Sequence, residues 1–442
     1  MSLARHVSLA LVAFAGGAVT GRLADARPKD ASAYALLDQL ARVLVLVENE
    51  YVEPVDRRRL VEGALSGMVS ALDPHSSYLP KEDYSLFQAD TEGRFGGVGI
   101  EIELRADHLV VLGTMEGSPA ERAGLRPGDR IVAIDAQPVR DRKLDELLRR
   151  MRGAPGTKVD LTVERDGREG SFGVALVREV IRVVSVVGKL LKGEVAYVRV
   201  RQFQEGTHDE LLRVVGRLRA EAPGGRFAGV LLDLRNNGGG LVDECVAVAD
   251  ELLGPGVVYT ARQRGKVVDE ARSAAGGALG REPLVALVNE YSASAAEIVA
   301  GALQDHRRAT LVGSRTFGKG SVQSIIDLPD GSGLKLTTMR YYTPNGRAIQ
   351  AQGVEPDVLV PASGSAPPAV TREADLEGHL PAEGVTPPAP AATPAAAASA
   401  TPGESGDVLG VPRDVPEDPT HGRDTALSVA YRVLLRVVGQ RR

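Results

Sequence analysis

Apolar residues recur at helical spacing over Ser32–Val52 and again over Arg58–Leu72, with Glu53-Pro54 breaking the pattern between them. Leu-Asp-Pro-His-Ser-Ser-Tyr-Leu (72–79) then reads as a turn and a helix start. From Phe95 to Val177 the pattern shortens to strands: alternation at Phe95–Ile102, a run at Ile131–Ile134 after the turn Gly124–Arg130, and Val159–Arg165, with one helix at Lys143–Arg152. A larger alternation follows. Val195–Val200, Gly229–Leu234, Leu284–Val288 and Ala309–Gly313 are short apolar runs of the kind that form buried strands. Between them lie helical patterns at Thr207–Ala222, Leu241–Leu253 and about Ser294 to Gln304. Leu334–Tyr342 predicts another strand, and Asp424–Val438 a last helix with Leu427, Ala430, Tyr431, Leu434 and Leu435 on one face.

The chemistry concentrates at 288–323. Ser292 and Ser294 sit in the turn between a predicted strand and a predicted helix, where free N–H groups and the positive end of the helix dipole favour a negative oxygen. Lys319 stands between Gly318 and Gly320, and a desolvated lysine loses its proton more readily and can act as a base. Two plainer readings compete. Ser294-Ala-Ala-Glu297 is also a capping box. Gly313 to Lys319 fits the opening of a phosphate-binding loop, but Gly320 replaces the Ser or Thr that binds magnesium, and a strand follows where a helix is needed. The residues alone leave Ser292 and Ser294 both open as nucleophile.

Ser292-Ala-Ser-Ala, followed by Glu297-Ile298, Ala300-Gly-Ala-Leu-x-Asp305 and Gly318-Lys-Gly-x-x-Gln323, resembles the C-terminal processing (tail-specific) proteases, serine peptidases with a Ser–Lys pair. The resemblance implies Ser294 as nucleophile, Lys319 as base and Gln323 as the residue that orients the lysine amine; it leaves the role of Asp305 open. Asp233-Leu-Arg-Asn-Asn-Gly-Gly-Gly240 matches the family segment that supplies an oxyanion-hole N–H, here Gly239 or, preferred, Gly240, joined by Ala295. A dinucleotide-binding reading of this strand–glycine–helix run fails because Asp243 stands at the third glycine position. The implied fold is mixed α/β (α+β): a crotonase-like, ClpP-like protease core over 181–361, an inserted PDZ domain over 95–177 and a helical N-terminal region over 32–90. The likeness runs from about Tyr34 to Pro361.

The PDZ resemblance rests on Phe95-Gly-Gly-Val-Gly-Ile100 together with Gly124-Leu-Arg-Pro-Gly-Asp-Arg-Ile131. It places peptide binding at Phe95, Gly96, Gly97 and Val98, whose N–H groups are expected to nest a terminal carboxylate, with Arg152 holding the ligand or reporting its presence. Implied partners are protein or peptide substrates with free C-termini, an adaptor protein, and a second copy of the chain through the terminal helices.

Composition narrows the class. A net charge of −5 over 442 residues gives no electrostatic case for nucleic acid. No histidine spacing suggests a metal site, and no cofactor is expected. Residues 1–26 read as an export signal, with Arg5 and His6 before the apolar run Val7–Val19 and Ala24-Asp-Ala26 for cleavage; an uncleaved inner-membrane anchor is the alternative. The lone Cys245 excludes an internal disulfide and reads as a core thiol, so a periplasmic or otherwise exported protein held by its cores is expected. Residues 362–419, rich in Ala, Pro, Ser and Thr, are expected to be a disordered linker. Two rival readings are a non-catalytic PDZ scaffold, disfavoured because Ser294, Lys319 and Gln323 are all present, and an acyl-thioester site, which needs no Ser–Lys pair.

Overall fold

The computed structural model describes residues 33–105, 108–115, 117–142, 144–192, 194–360, 371–382 and 424–441. The expected signal (1–26), and the expected linker except for 371–382, lie outside the described residues. Among the described residues no helix is long and apolar enough to cross a membrane. The chain divides into a unit ending at Met68 and a unit from Val69 to Arg442. The first holds α1 (Ala33–Glu50) and most of α2 (Arg57–Ser70). Its apolar side chains are largely exposed, Tyr34 and Val52 most of all.

In the second unit, residues 72–79 differ from expectation. Only a turn and a helix start were foreseen, but Ser77–Leu79 is a strand, β1, ahead of helix α3 (Lys81–Thr91). The turn exists because the buried Asp73 carboxylate accepts the N–H groups of His75 and Ser76 and the Ser76 hydroxyl. That leaves Ser77–Leu79 extended, with a sheet edge available to pair with.

Strand β2 (Arg94–Gly97) leads into an antiparallel sheet of β3 (Ile100–Arg105), β4 (His108–Thr114), β5 (Arg130–Ile134), β6 (Gln137–Pro138), β7 (Lys158–Glu164) and β8 (Phe172–Val177). Helices α4 (Pro119–Arg122) and α5 (Leu144–Met151) pack on it around Leu109, Ile131, Leu147, Leu161 and Val163. Strand β9 (Glu179–Arg182) returns to pair with β2 and closes the module. Among the described residues β3 pairs only with β4 and β8 only with β7, so these are the two edge strands of the sheet.

The larger layer is a sheet in the order β10 (Val186–Leu191), β11 (Val195–Val200), β12 (Gly229–Asp233), β15 (Leu284–Val288), β16 (Thr310–Gly313) and β19 (Val358–Leu359), parallel except at β10–β11. All five residues of β12 and of β15 are buried, which explains their continuous apolar runs. One face carries α6 (Thr207–Glu221), α7 (Val242–Leu252) and α8 (Ala295–Asp305). The other is covered by α9 (Thr425–Arg441), which buries Leu427, Ala430, Tyr431 and Leu434 against Leu231, Val285, Leu287 and Val312. At about 1.5–3 kcal/mol for each fully buried large apolar side chain, that docking is strong for one helix. The apolar face of the C-terminal helix, expected to meet either a domain or a second copy, is therefore covered by this chain's own sheet.

A second sheet combines β1, β13 (Gly256–Gln263), β14 (Lys266–Ser273), β17 (Ser321–Asp327) and β18 (Gly333–Tyr342), with β18 pairing β1, β13 and β17. The β13–β14 hairpin was not anticipated. Residues 371–382 correct the linker expectation. Glu373 is fully buried and bonded to side chains distant in sequence, because this stretch carries charged and apolar residues (Thr-Arg-Glu-Ala-Asp-Leu) within the Ala/Pro-rich tract.

Candidate active site

β15 ends at Val288, and the chain turns through Asn289–Ala293 before α8 begins after Ser294. The two serines separate here. The Ser292 hydroxyl is buried and committed: it donates to the Leu234 carbonyl at 2.8 Å and accepts the Asn289 N–H at 2.9 Å. Ser294 has φ 56° and ψ −118°, a strained conformation for a residue with a side chain. Its hydroxyl makes no capping bond. The expected cap is therefore only half of a box. The Glu297 carboxylate takes the Ser294 N–H at 2.8 Å, but the Glu297 N–H goes to the Ser294 carbonyl.

The remaining acceptor capacity of Glu297 reaches the lysine loop, accepting the Thr316 hydroxyl and the N–H groups of Gly318 (2.7 Å) and Lys319 (2.8 Å). One fully buried carboxylate thus joins the serine turn to the loop that carries the lysine. Burial pushes its pKa up to about 7, against the pull of those four donors. The Phe317 N–H bonds the Ser292 carbonyl and ties the same two segments together.

Ser294, Lys319, Gln323 and Gly240 line one cavity of about 400 Å³, together with Phe203, Leu241, Val322 and Tyr341. Lys319 is half-buried. Burial, then the like charge of Lys335, lowers its pKa to about 8, against the carboxylates of Glu373, Glu297 and Asp73. The Gln323 amide donates to Ser321 Oγ at 3.0 Å and Thr337 Oγ1 at 3.2 Å, and Thr337 in turn donates to Asp73 at 3.0 Å. A chain of bonds thus runs from the 72–79 turn to Gln323.

Asn237 sets the glycine loop. It is buried, its amide donates to the Val200 carbonyl, and its Oδ1 takes the Gly239 N–H at 2.8 Å. With the Gly239 N–H committed, Gly240 is the donor candidate of the pair. Neither glycine has room for a side chain. A Cβ on Gly239 would lie 2.8 Å from Ser294 Cβ, and one on Gly240 2.0 Å from the Phe203 carbonyl oxygen. Asp305 lies elsewhere: it accepts the Asn345 N–H at 2.8 Å and pairs with Arg347, pinning the Thr343–Arg347 turn to the end of α8. Cys245 is buried and donates to the Ala295 carbonyl at 3.2 Å, and burial pushes its thiol pKa far above the usual range. Among the described residues no cluster suits a metal ion.

In the smaller module, Phe95, Gly96 and Gly97 lie in β2, paired with β9, so part of the expected N–H nest belongs to a strand ladder. The Phe95 side chain lies outside the described residues. Gly96 is packed against the end of α5, its carbonyl accepting the Gly153 N–H at 3.0 Å, which brings the backbone next to Arg152 against the glycine loop. The Val98 carbonyl accepts the Ala120 N–H. Sequence reasoning missed Glu297 as the link between the serine turn and the lysine loop. The Ser294–Glu297 spacing was visible, but its bonds to residues 316–319 were not.

Three family models match: Peptidase family S41 over residues 194–360, a PDZ domain over 110–165, and the activating protease CtpB N-terminal domain over 16–83. A carboxy-terminal-processing protease of Bartonella bacilliformis is 39% identical over 351 residues, covering 77% of this chain and 80% of that protein. A probable CtpA-like serine protease of Staphylococcus aureus is 39% identical over 328 residues; the match covers 73% of this chain and 64% of that longer relative. Among solved structures, a photosystem II D1 C-terminal processing protease is 31% identical, with a TM-score of 0.47, over 73% of this chain and 86% of that one.

Proposed function

Because the chain belongs to peptidase family S41, among the PDZ-bearing C-terminal processing serine peptidases, we propose that it cleaves proteins or peptides through a Ser294–Lys319 pair. The observation that carries this reading is a cavity shared by a strained, uncapped serine and a lysine whose pKa burial has lowered to about 8. In the neutral form Lys319 takes the Ser294 hydroxyl proton as Oγ bonds the scissile carbonyl carbon. The oxyanion is held by the N–H groups of Gly240 and Ala295, each donor worth about 3 kcal/mol in the transition state. Collapse breaks the C–N bond, and the lysine ammonium gives its proton to the leaving amine. Neutral Lys319 then deprotonates a water, which attacks the ester; the released carboxyl fragment leaves Ser294 reprotonated by Lys319. In this reading Gln323, whose amide nitrogen donates to Ser321 and Thr337, orients the lysine amine with its carbonyl oxygen during the reaction.

The PDZ module selects substrates by their C-termini, an extended peptide adding to the free edge of β3 with its carboxylate at the loop of Gly96, Gly97 and Val98. Phe87 and Thr91 of α3 line the catalytic cavity only a few residues before β2, a short path by which a bound peptide influences the site. Export through residues 1–26 remains part of the proposal, checked by sequencing the mature N-terminus from fractionated cells. The catalytic reading is tested with Ser294→Ala and Lys319→Ala: each abolishes cleavage of an unfolded protein while the circular dichroism spectrum stays native. Retained cleavage in either variant contradicts it.

A further inference from the structure

Residues 371–382 follow the last core strand, β19, and grip the segment that carries Lys319. The Arg372 guanidinium donates to the carbonyls of Arg315 and Thr316, at 2.8 Å each, and the Glu373 N–H donates to the Phe317 carbonyl at 3.3 Å. One oxygen of the Glu373 carboxylate accepts the Gln350 amide at 2.7 Å, and that amide also donates to the Leu380 carbonyl. The other end of Gln350 accepts the Gly320 N–H at 2.9 Å, next to the lysine. The second carboxylate oxygen bonds His75 Nε2 at 2.7 Å, joining residues 298 positions apart. Glu373 is fully buried and Gln350 nearly so.

A buried carboxylate is costly unless bonded or matched by charge, so one placed where a neutral amide would make similar hydrogen bonds calls for an explanation. Taking Lys319 as the base, the reading on which this inference rests, we propose that Glu373 is a positioning residue for the peptidase reaction. With Gln350 and His75 it fixes the loop that carries the lysine, through bonds separate from those of Glu297. Its charge also bears on the amine. Burial and Lys335 on β18 pull the lysine's proton affinity down; Glu373, Glu297 on α8 and Asp73 ahead of β1 raise it.

The test uses the full-length protein, with kcat and KM measured across pH for Glu373→Gln, Glu373→Asp, His75→Gln and Lys319→Ala. Glu373→Gln keeps the shape and removes the charge. It lowers kcat roughly 10- to 100-fold, the scale of a displaced catalytic group, leaves KM nearly unchanged, and moves the rising limb of the kcat profile to lower pH. Glu373→Asp keeps the charge and leaves that limb in place. A wild-type kcat and limb in Glu373→Gln overturns the proposal, as does a loss of activity that follows lost thermal stability with the limb unmoved. Should Glu373→Gln fail to fold, His75→Gln decides: reduced kcat in a native fold supports the proposal, and wild-type kinetics overturns it. Activity in Lys319→Ala would instead remove the Ser–Lys reading itself, whereas an inactive Lys319→Ala beside a silent Glu373→Gln removes only this inference.

Discussion

Gly240→Ala perturbs the proposed oxyanion donor while leaving the nucleophile and base intact. The glycine has φ 136°, where a side chain is strained, and an added Cβ would lie 2.0 Å from the Phe203 carbonyl oxygen, 2.7 Å from its carbon and 3.1 Å from its Cα. These are backbone atoms, so no side chain can swing aside. Phe203 is also held by its N–H to the Gly239 carbonyl at 2.9 Å and by its carbonyl to the Leu241 N–H at 2.6 Å. Real Cβ contacts stop near 3.0 Å, so the glycine loop must move by the difference, 3.0 − 2.0 = 1.0 Å. A displacement of that size removes a donor from a position that must be met within a few tenths of an ångström. The expected loss is about 10²- to 10³-fold in kcat, or about 3–4 kcal/mol, with KM for a short peptide changed much less. Gly238 supplies the comparison, since a Cβ there meets nothing within 4 Å; Gly238→Ala loses far less. The assay is steady-state cleavage of a chromogenic peptide, with folding checked by circular dichroism. Equal kcat in Gly240→Ala and wild type, or equal losses in the two variants, would refute the oxyanion assignment.

Lys335 bears directly on the proposed base. Its like charge depresses the Lys319 pKa, so Lys335→Gln shifts the rising limb of the pH–kcat profile from about 8 to higher pH; an unmoved or acid-shifted limb counts against lysine as the base. Ser292→Ala leaves the Leu234 carbonyl and the Asn289 N–H short of a buried partner, costing roughly 1–3 kcal/mol in a urea melt while kcat falls only a few-fold; an inactive but fully stable variant would move the nucleophile. Amidating the C-terminus of a peptide substrate removes the charge that the PDZ loop is proposed to hold, so binding weakens or turnover slows, and identical kinetics for acid and amide would remove C-terminal recognition from the account.

The strand–turn–helix of residues 284–305 was legible because its cues are local: a five-residue apolar run, a small-residue turn, and a Ser–Glu spacing that starts a helix. The glycines beside the lysine were legible for the same reason. What distinguishes the surroundings of the two serines is not local. Ser292 is spoken for by Leu234, 58 residues earlier, and no periodicity in the sequence carries that bond. Glu297 was read as half of a helix cap, which it is, yet its other bonds run to residues 316–319. Glu373 was hidden by averaging: a short ordered stretch inside an Ala- and Pro-rich tract takes the tract's composition when read as a window. The β13–β14 hairpin escaped because β14 is exposed along most of its length and so lacks an apolar signature.

The central claim, that Ser294 is the nucleophile and Lys319 its base, is tested most directly by labelling the native protein with a serine-reactive phosphonate and mapping the adduct by peptide mass spectrometry. The account predicts a single adduct on Ser294, forming faster as pH rises through about 8 and lost in Lys319→Ala. An adduct on Ser292, or labelling of Ser294 at a rate indifferent to Lys319→Ala, would contradict it.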